Sequence, residues 1–310
     1  DGRPPGVADA APGAASGPAG RTAARDARGT PPEKEPVRFH VVPRKGWDTQ
    51  LQGLGCSARN TINWRGHRGV LPAPPHPCWL LPASDDVALQ IARRQEELRA
   101  RGWLLFTSSA EVVHSLGDKA ALWRFARERG LDEHLPQHFE EPEEAAYPCI
   151  LKESGGDFGR GCHIVESQEN VRRVTGARGG GCSLRPDWVL QELVPGREEL
   201  SVSLLVDRGV VLEAAGTAYE FDVEAYVWPR VRTLNTAPQD IPAEELAVMS
   251  SFLEGYTGIC NFNYKRVPGG GVRIFEINTR IGGDLVTDVP APAARAFFER
   301  LAALGQHAHA

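Results

Sequence analysis

The chain has 310 residues, 41% hydrophobic and 24% charged, the composition of a soluble globular protein with room for one large domain or two ordinary ones. A net charge of -5 supplies no general field for nucleic acid or an anionic membrane, so neither is expected as a partner. No apolar run approaches the roughly 20 residues that cross a bilayer, and the six scattered cysteines, without a CxxC pair or a histidine at zinc spacing, read as reduced thiols of a cytoplasmic protein.

Residues 1–36 are mostly Ala, Gly, Pro, Arg and Asp and carry almost no large apolar side chain, so they read as a disordered tail without the charged start and apolar centre of a secretion signal. A short strand is expected over 37–42, and the Gly-, Pro- and Arg-rich stretch 46–77 shows no clear pattern. Trp79-Leu80-Leu81 reads as a buried strand. Ser84 then caps a helix whose Asp85 and Asp86 suit the positive end of its dipole. Val87, Ile91 and Leu98 recur at helical spacing until Gly102 stops the helix. Residues 103–106 form the next expected strand, and Ser108-Ser109-Ala110-Glu111 has the form of a capping box. Strand and helix alternate here, which predicts a small parallel α/β unit over 37–116.

From 117 the rhythm changes. Asp118 caps a helix carrying Leu122, Phe125 and Ala126 on one face, closed by Gly130. Strands then dominate, over 149–152, 162–165, 188–193, 199–206, 210–214, 259–266 and 272–278. A helix begins near Pro242, and a hairpin turns at Asp207-Arg208-Gly209. This region reads as α+β with antiparallel sheets.

Three stretches carry chemistry. Lys152 ends a strand and is followed by Gly155, Gly156, Gly159 and Gly161, a loop whose backbone N–H groups can approach phosphate oxygens beside a positive charge. A flexible hairpin is the plainer alternative, and it is not a P-loop, because the lysine precedes the glycines. In the second stretch, Glu276 and Asn278 are expected on one face with Phe275 and Ile277 pointing to the core, and Asn261, Asn263 and Lys265 alternate with Phe262 and Tyr264. A four-residue turn at 268–271 would pair Val267 with Val272, Tyr264 with Phe275, Asn263 with Glu276, Phe262 with Ile277 and Asn261 with Asn278. Oxygen donors then converge as a hard cation requires, unless the hairpin merely has a wet face. The third stretch, Gln191-Glu192-Leu193-Val194-Pro195-Gly196-Arg197-Glu198-Glu199, leaves one strand through a Pro-Gly bend and enters another on acidic residues.

Read in chain order, over about 79–283, the three stretches resemble the ATP-grasp superfamily of carboxylate–amine ligases. The resemblance implies a small parallel pre-ATP-grasp domain at 37–116 and a two-lobed ATP-grasp domain at 117–310, with an N-lobe at about 117–190 and a C-lobe at about 191–310. It also implies ATP and Mg2+ (or Mn2+) as cofactors, small-molecule carboxylate and amine substrates such as amino acids or peptides, and a homodimer. By position, Lys119 and Lys152 match the two ATP-contacting lysines, and Gly155, Gly156, Gly159 and Gly161 match the loop covering the phosphates. Gln191, Glu192 and Leu193 match the adenine hinge, and Glu199 (or Glu198) matches the ribose-binding acid. Glu276, Asn278 and Asn263 match the metal ligands, and Arg280 matches the arginine that stabilises the acyl phosphate. Asn263 departs from the family, which has an acid there. The resemblance implies ATP-dependent activation of a carboxylate for attack by an amine. A weakly catalytic ATP-binding module and an ATP-grasp kinase are the alternatives. Substrate choice is expected to lie in loops such as 216–240.

Overall fold

The computed structural model describes residues 39–42, 61–64, 70–74, 76–155, 161–176 and 184–307. Contacts divide the chain into Asp1–Pro36 and Val37–Ala310, and the tail expected over 1–36 lies outside the described residues.

The second unit begins with a parallel three-stranded sheet of β1 (Phe39–Val42), β2 (Cys78–Pro82) and β3 (Trp103–Leu104), in that order. Four consecutive residues of β2 are buried, the pattern of a strand covered on both faces. The single helix expected after Ser84 is two, α1 (Asp85–Arg93) and α2 (Gln95–Ala100). Arg94 leaves helical dihedrals between them, and its guanidinium holds Glu97. Ser84 occupies the N-cap position, but its hydroxyl donates to Asp86 instead of accepting from the main chain. The expected capping box is displaced by one residue. Ser109, not Ser108, caps α3 (Ala110–Gly117) by accepting from the Val112 N–H, while the Ser108 hydroxyl bonds the backbone of Thr257. The next helix follows expectation: Asp118 caps α4 (Lys119–Arg129) and Gly130 closes it in the left-handed conformation.

Two antiparallel sheets follow. The first contains β4 (His138–Phe139), β5 (Cys149–Glu153), β6 (Cys162–Val165) and β7 (Trp188–Glu192), ordered β4-β7-β5-β6, with α5 (Gln168–Thr175) after β6. The second contains β8 (Glu198–Asp207), β9 (Val210–Phe221), β10 (Thr233–Gln239), β11 (Gly258–Arg266) and β12 (Val272–Asn278), ordered β10-β9-β8-β11-β12. Arg208 and Gly209 both have positive φ, as the tight turn between β8 and β9 requires. β9 runs seven residues past 214 and pairs with β10, so much of 216–240 is strand, not loop. β10 is a polar edge strand, so it lacks the apolar alternation by which strands are recognised in sequence.

The β11–β12 hairpin holds the expected pairs Asn263 with Glu276, Phe262 with Ile277 and Asn261 with Asn278. Towards the turn the register is out by one. Tyr264 pairs with Ile274, not Phe275, and Arg266, not Val267, pairs with Val272, because a bulge at Phe275 inserts an extra residue. Ile274 and Ile277 therefore both reach the core, and Phe275, expected in the core, turns to the opposite face.

That core lies under one face of the five-stranded sheet, where Leu200, Val202, Leu204, Phe262 and Tyr264 pack on Met249 and Phe252 of α6 (Ala243–Phe252) and on Leu122 of α4. A second core joins Trp79 and Leu81 of β2 to Leu205, to Leu285 of α7 (Gly283–Thr287), and to Phe297 and Leu301 of α8 (Ala291–His307). Among the described residues, no helix is long and apolar enough to cross a membrane.

Candidate functional site

The face of the five-stranded sheet opposite α6 lines a cleft of about 600 Å3, closed on its other side by residues of β5 and β7 from the four-stranded sheet. Alternation decides which side chains enter it. On β8, Leu200 and Val202 point to the core, so Glu199 and Ser201 point to the cleft. On β11 the same rule sends Asn261, Asn263 and Lys265 to the cleft.

At one end the lysines meet the carboxylate. Lys119, from the first turn of α4, places Nζ 3.5 Å from Glu276 Oε2. Lys152, buried on β5, donates to the Phe275 carbonyl at 3.1 Å, and burial holds its ammonium down at about 8. Burial alone would raise the Glu276 carboxyl, but Lys119, the Asn278 amide, Arg280 and Lys152 hold it down at about 2. Asn263 Nδ2 and Asn278 Nδ2 both donate to Glu276 Oε1, at 2.9 and 3.2 Å. Asn278 is buried behind Glu276 and is not part of the cleft lining.

Arg280 lines the cleft although it is only 6% exposed. Its Nε donates to Asp85 at 3.3 Å and its Nη1 to the Ile281 carbonyl at 3.0 Å. Asp85, read from sequence as a helix-dipole partner, thus reaches from α1 to an arginine 195 positions away.

At the other end, Gln191, Glu192, Leu193 and Val194 line the wall where β7 ends, with Glu192 tied to the Gln137 backbone in both directions. Of the two acids after the bend, Glu199 enters the cleft and accepts from the Tyr226 hydroxyl at 2.8 Å. Burial raises its carboxyl, opposed by Tyr226 and Lys265. Glu198 is exposed beside Arg266. Lys265, given no role by the sequence, is 4% exposed. It donates to the Val194 and Gly196 carbonyls, sits 4.2 Å above the Tyr226 ring, and is held down at about 8 by burial. Phe221, Tyr226 and Phe275 add aromatic walls; the first two were not singled out in the sequence, and Phe275 was expected in the core.

The glycine loop leaves β5 at Glu153, whose N–H donates to the Gly161 carbonyl. Gly161 has φ +63, and a Cβ there would come within 2.6 Å of the Glu153 side chain. Gly155 is described as part of the turn, whereas Gly156 and Gly159 lie outside the described residues.

Among the described residues no three His, Cys, Asp or Glu are placed to share a cation. Of the three residues matched to a cation, Glu276 alone is a carboxylate, and Asn263 and Asn278 turn their amide nitrogens to it, so this set would suit a magnesium-like ion held by one protein carboxylate and otherwise by phosphate and water.

No sequence-family profile matches the chain, and no curated protein does. Solved structures do. A D-alanine–D-alanine ligase from Bacillus anthracis superposes with a TM-score of 0.55 at 14% identity, over 88% of this chain and 98% of that one. A carboxyaminoimidazole ribonucleotide synthase from Aspergillus clavatus, solved with ATP, gives 0.55 at 14% identity over 80% and 71%. An L-amino acid ligase from Bacillus licheniformis aligns at 16% identity with a TM-score of 0.48, and this chain spans 50% of its length. A parallel three-stranded sheet followed by two antiparallel sheets facing a cleft, superposable on the D-alanine–D-alanine ligase and the carboxyaminoimidazole ribonucleotide synthase, is the ATP-grasp fold, and this chain carries it.

Proposed function

We propose that the chain is an ATP-dependent ligase that activates a carboxylate as an acyl phosphate for attack by an amine. The observation that carries this reading is the meeting of Lys119, Lys152 and Glu276 at one end of a cleft whose other end is the edge of β7. In it, Gln191, Glu192 and Leu193 hold the adenine, Glu199 takes the ribose hydroxyls, and Lys119 and Lys152 bind the phosphates under the glycine loop. Glu276, with Asn263 and Asn278, would hold Mg2+ or Mn2+, and the ion when bound supplies neutralisation of phosphate charge.

A carboxylate oxygen of the first substrate attacks the γ-phosphorus, the bond to the β-phosphate oxygen breaks, and ADP leaves. Arg280, aimed by Asp85, balances charge on the resulting acyl phosphate. The amine, having lost a proton to solvent, then attacks the acyl carbon, the C–O bond to the phosphate breaks, and inorganic phosphate departs. Chemistry of this kind needs positioning and fixed charge more than a side-chain nucleophile. The cleft offers three lysines, Lys119, Lys152 and Lys265, and one arginine, Arg280.

The test is a phosphate-release screen over pairs of amino acids and peptides, with and without magnesium, followed by mass spectrometry of any positive pair. Phosphate release with a condensed product is expected. ADP without free phosphate would instead identify a kinase. ATP binding without turnover for any carboxylate would favour the binding-module reading, which the Asn263–Glu276 hydrogen bond supports because it gives Glu276 an amide donor where a second acid would favour a cation.

A further inference from the structure

One corner of the cleft is lined by Asp284 and Asp288, one helical turn apart at α7, together with Tyr219 and Thr236. Asp288 Oδ2 accepts from the Tyr219 and Thr287 hydroxyls at 2.7 Å each, and neither Asp288 oxygen is both buried and without a partner. Asp284 is different. It is 3% exposed, and its Oδ1 accepts from the Ser203 hydroxyl at 2.9 Å and from Asn261 Nδ2 at 3.0 Å. Its Oδ2 is buried and has no hydrogen-bond partner among the described residues.

Folded proteins rarely leave a buried carboxylate oxygen without a donor, and among the described residues two are so left, Asp85 Oδ1 and Asp284 Oδ2; of the two residues only Asp284 lines the cleft, where a bound molecule could supply the donor. The side chain is also held in place. A Cβ at Gly282 would collide with both Asp284 Oδ1 and Ser203 Oγ, so only glycine there permits the close fit. Burial pushes the Asp284 carboxyl up to about 6 against Ser203, the Leu285 N–H, Arg280 and Ser201, which favour its charged form, and this leaves it mostly ionised at neutral pH. The guanidinium of Arg280, whose charge is felt at Asp284, is itself bonded to Asp85 and the Ile281 carbonyl. Asn261 further joins Asp284 to the phosphate end, accepting at 3.5 Å from Asn278, which donates to Glu276.

We propose that this corner is the subsite for the second substrate and that Asp284 Oδ2 accepts a hydrogen bond from its protonated amine. The inference rests on the ligase reading and names the class of that substrate: a primary amine that arrives as an ammonium ion. A neutral hydroxyl in the same position leaves the carboxylate charge unbalanced.

L-Alaninamide and L-lactamide are matched in size and differ in ammonium against hydroxyl, so their affinities for the full chain, by calorimetry at neutral pH and fixed ionic strength, read the subsite directly. Binding of a fluorescent ATP analogue is measured on the same samples. The unmodified chain is expected to prefer L-alaninamide by about tenfold or more, the scale of a charge-assisted hydrogen bond. Asp284→Asn is expected to abolish that preference while binding the ATP analogue within about twofold of the unmodified chain. Absence of preference in the unmodified chain, a result that needs no variant, overturns the proposal. So does a preference that survives in an Asp284→Asn chain still binding nucleotide. Should that variant not fold, Ser203→Ala keeps the carboxylate but frees Oδ1 of one donor, and it must retain the preference; its loss there counts against Oδ2 as the acceptor. Failure of the unmodified chain to bind the ATP analogue removes the ligase reading and leaves the ammonium preference to be scored alone.

Discussion

The Lys152 ammonium on the four-stranded sheet donates to the carbonyl of Phe275 on the five-stranded sheet, across 3.1 Å. One buried charge therefore ties the two walls of the cleft together through the residue left over by the β12 bulge.

Lys152→Met keeps the bulk and removes the charge. Phosphate release is expected to fall on the order of 100- to 1,000-fold, as when a comparable electrostatic donor is lost. Stability should respond with pH in a defined direction. Burial lowers the folded-state value from 10.5 to about 8, so between those values the unfolded chain holds a proton that the folded chain has released. The penalty for burying the ammonium is full below about 8 and fades as pH rises towards 10.5. Urea titrations should show the wild type gaining on Lys152→Met across that window. Lys265, held down in the same direction, is common to both chains and cancels. A pH-independent difference would contradict the assignment of a buried charge.

Asn263→Asp replaces the amide that donates to Glu276 with a second carboxylate. Without divalent ions the variant should lose about 1–2 kcal/mol, from the missing hydrogen bond and like-charge repulsion. Magnesium should then raise its melting temperature more than that of the parent, since two carboxylates hold a hard cation better than one. Equal responses to magnesium would argue that this corner does not bind the ion.

Asp85→Ala is expected to lower phosphate release about tenfold with nucleotide affinity unchanged, because Arg280 loses the carboxylate that aims it. Asp86→Ala is the control. It removes the same helix-dipole contribution, about 0.3–1 kcal/mol, from a residue bonded only to Ser84 among the contacts described above. If both variants lose activity equally, the helix and not Arg280 is responsible.

On the core side of the sheet, the Tyr264 hydroxyl donates to buried Glu245 at 2.6 Å, and Arg266 pairs with the same carboxylate. Tyr264→Phe should cost about 1–2 kcal/mol in chemical denaturation and leave phosphate release unchanged, since nothing on that face enters the cleft.

Much of this was legible in the sequence where a local rule governs. Alternation along 261–265 placed Asn261, Asn263 and Lys265 together, and Asp118 and Gly130 bounded their helix. The bulge was not anticipated, although its trace is visible: the buried residues run Val272, Ile274, Ile277, an even step followed by an odd one. Asp85 and Asp284 could not be read as site residues, because their partners Arg280, Ser203 and Asn261 come from distant strands and meet only once the sheets are stacked. The β9–β10 arm was missed for a different reason. Its outer strand is polar and half-exposed, and strand recognition from pattern needs a buried face.

Excising Phe275 would leave Ile274 facing inward, Glu276 outward and Ile277 inward, an unbroken zigzag with every neighbour already matched. The hairpin has no architectural need of a residue there. What the supernumerary position contributes is a ring and a carbonyl delivered to the space between the sheets, so a shortened chain would remain a sound scaffold and forfeit the seam on which the two halves close.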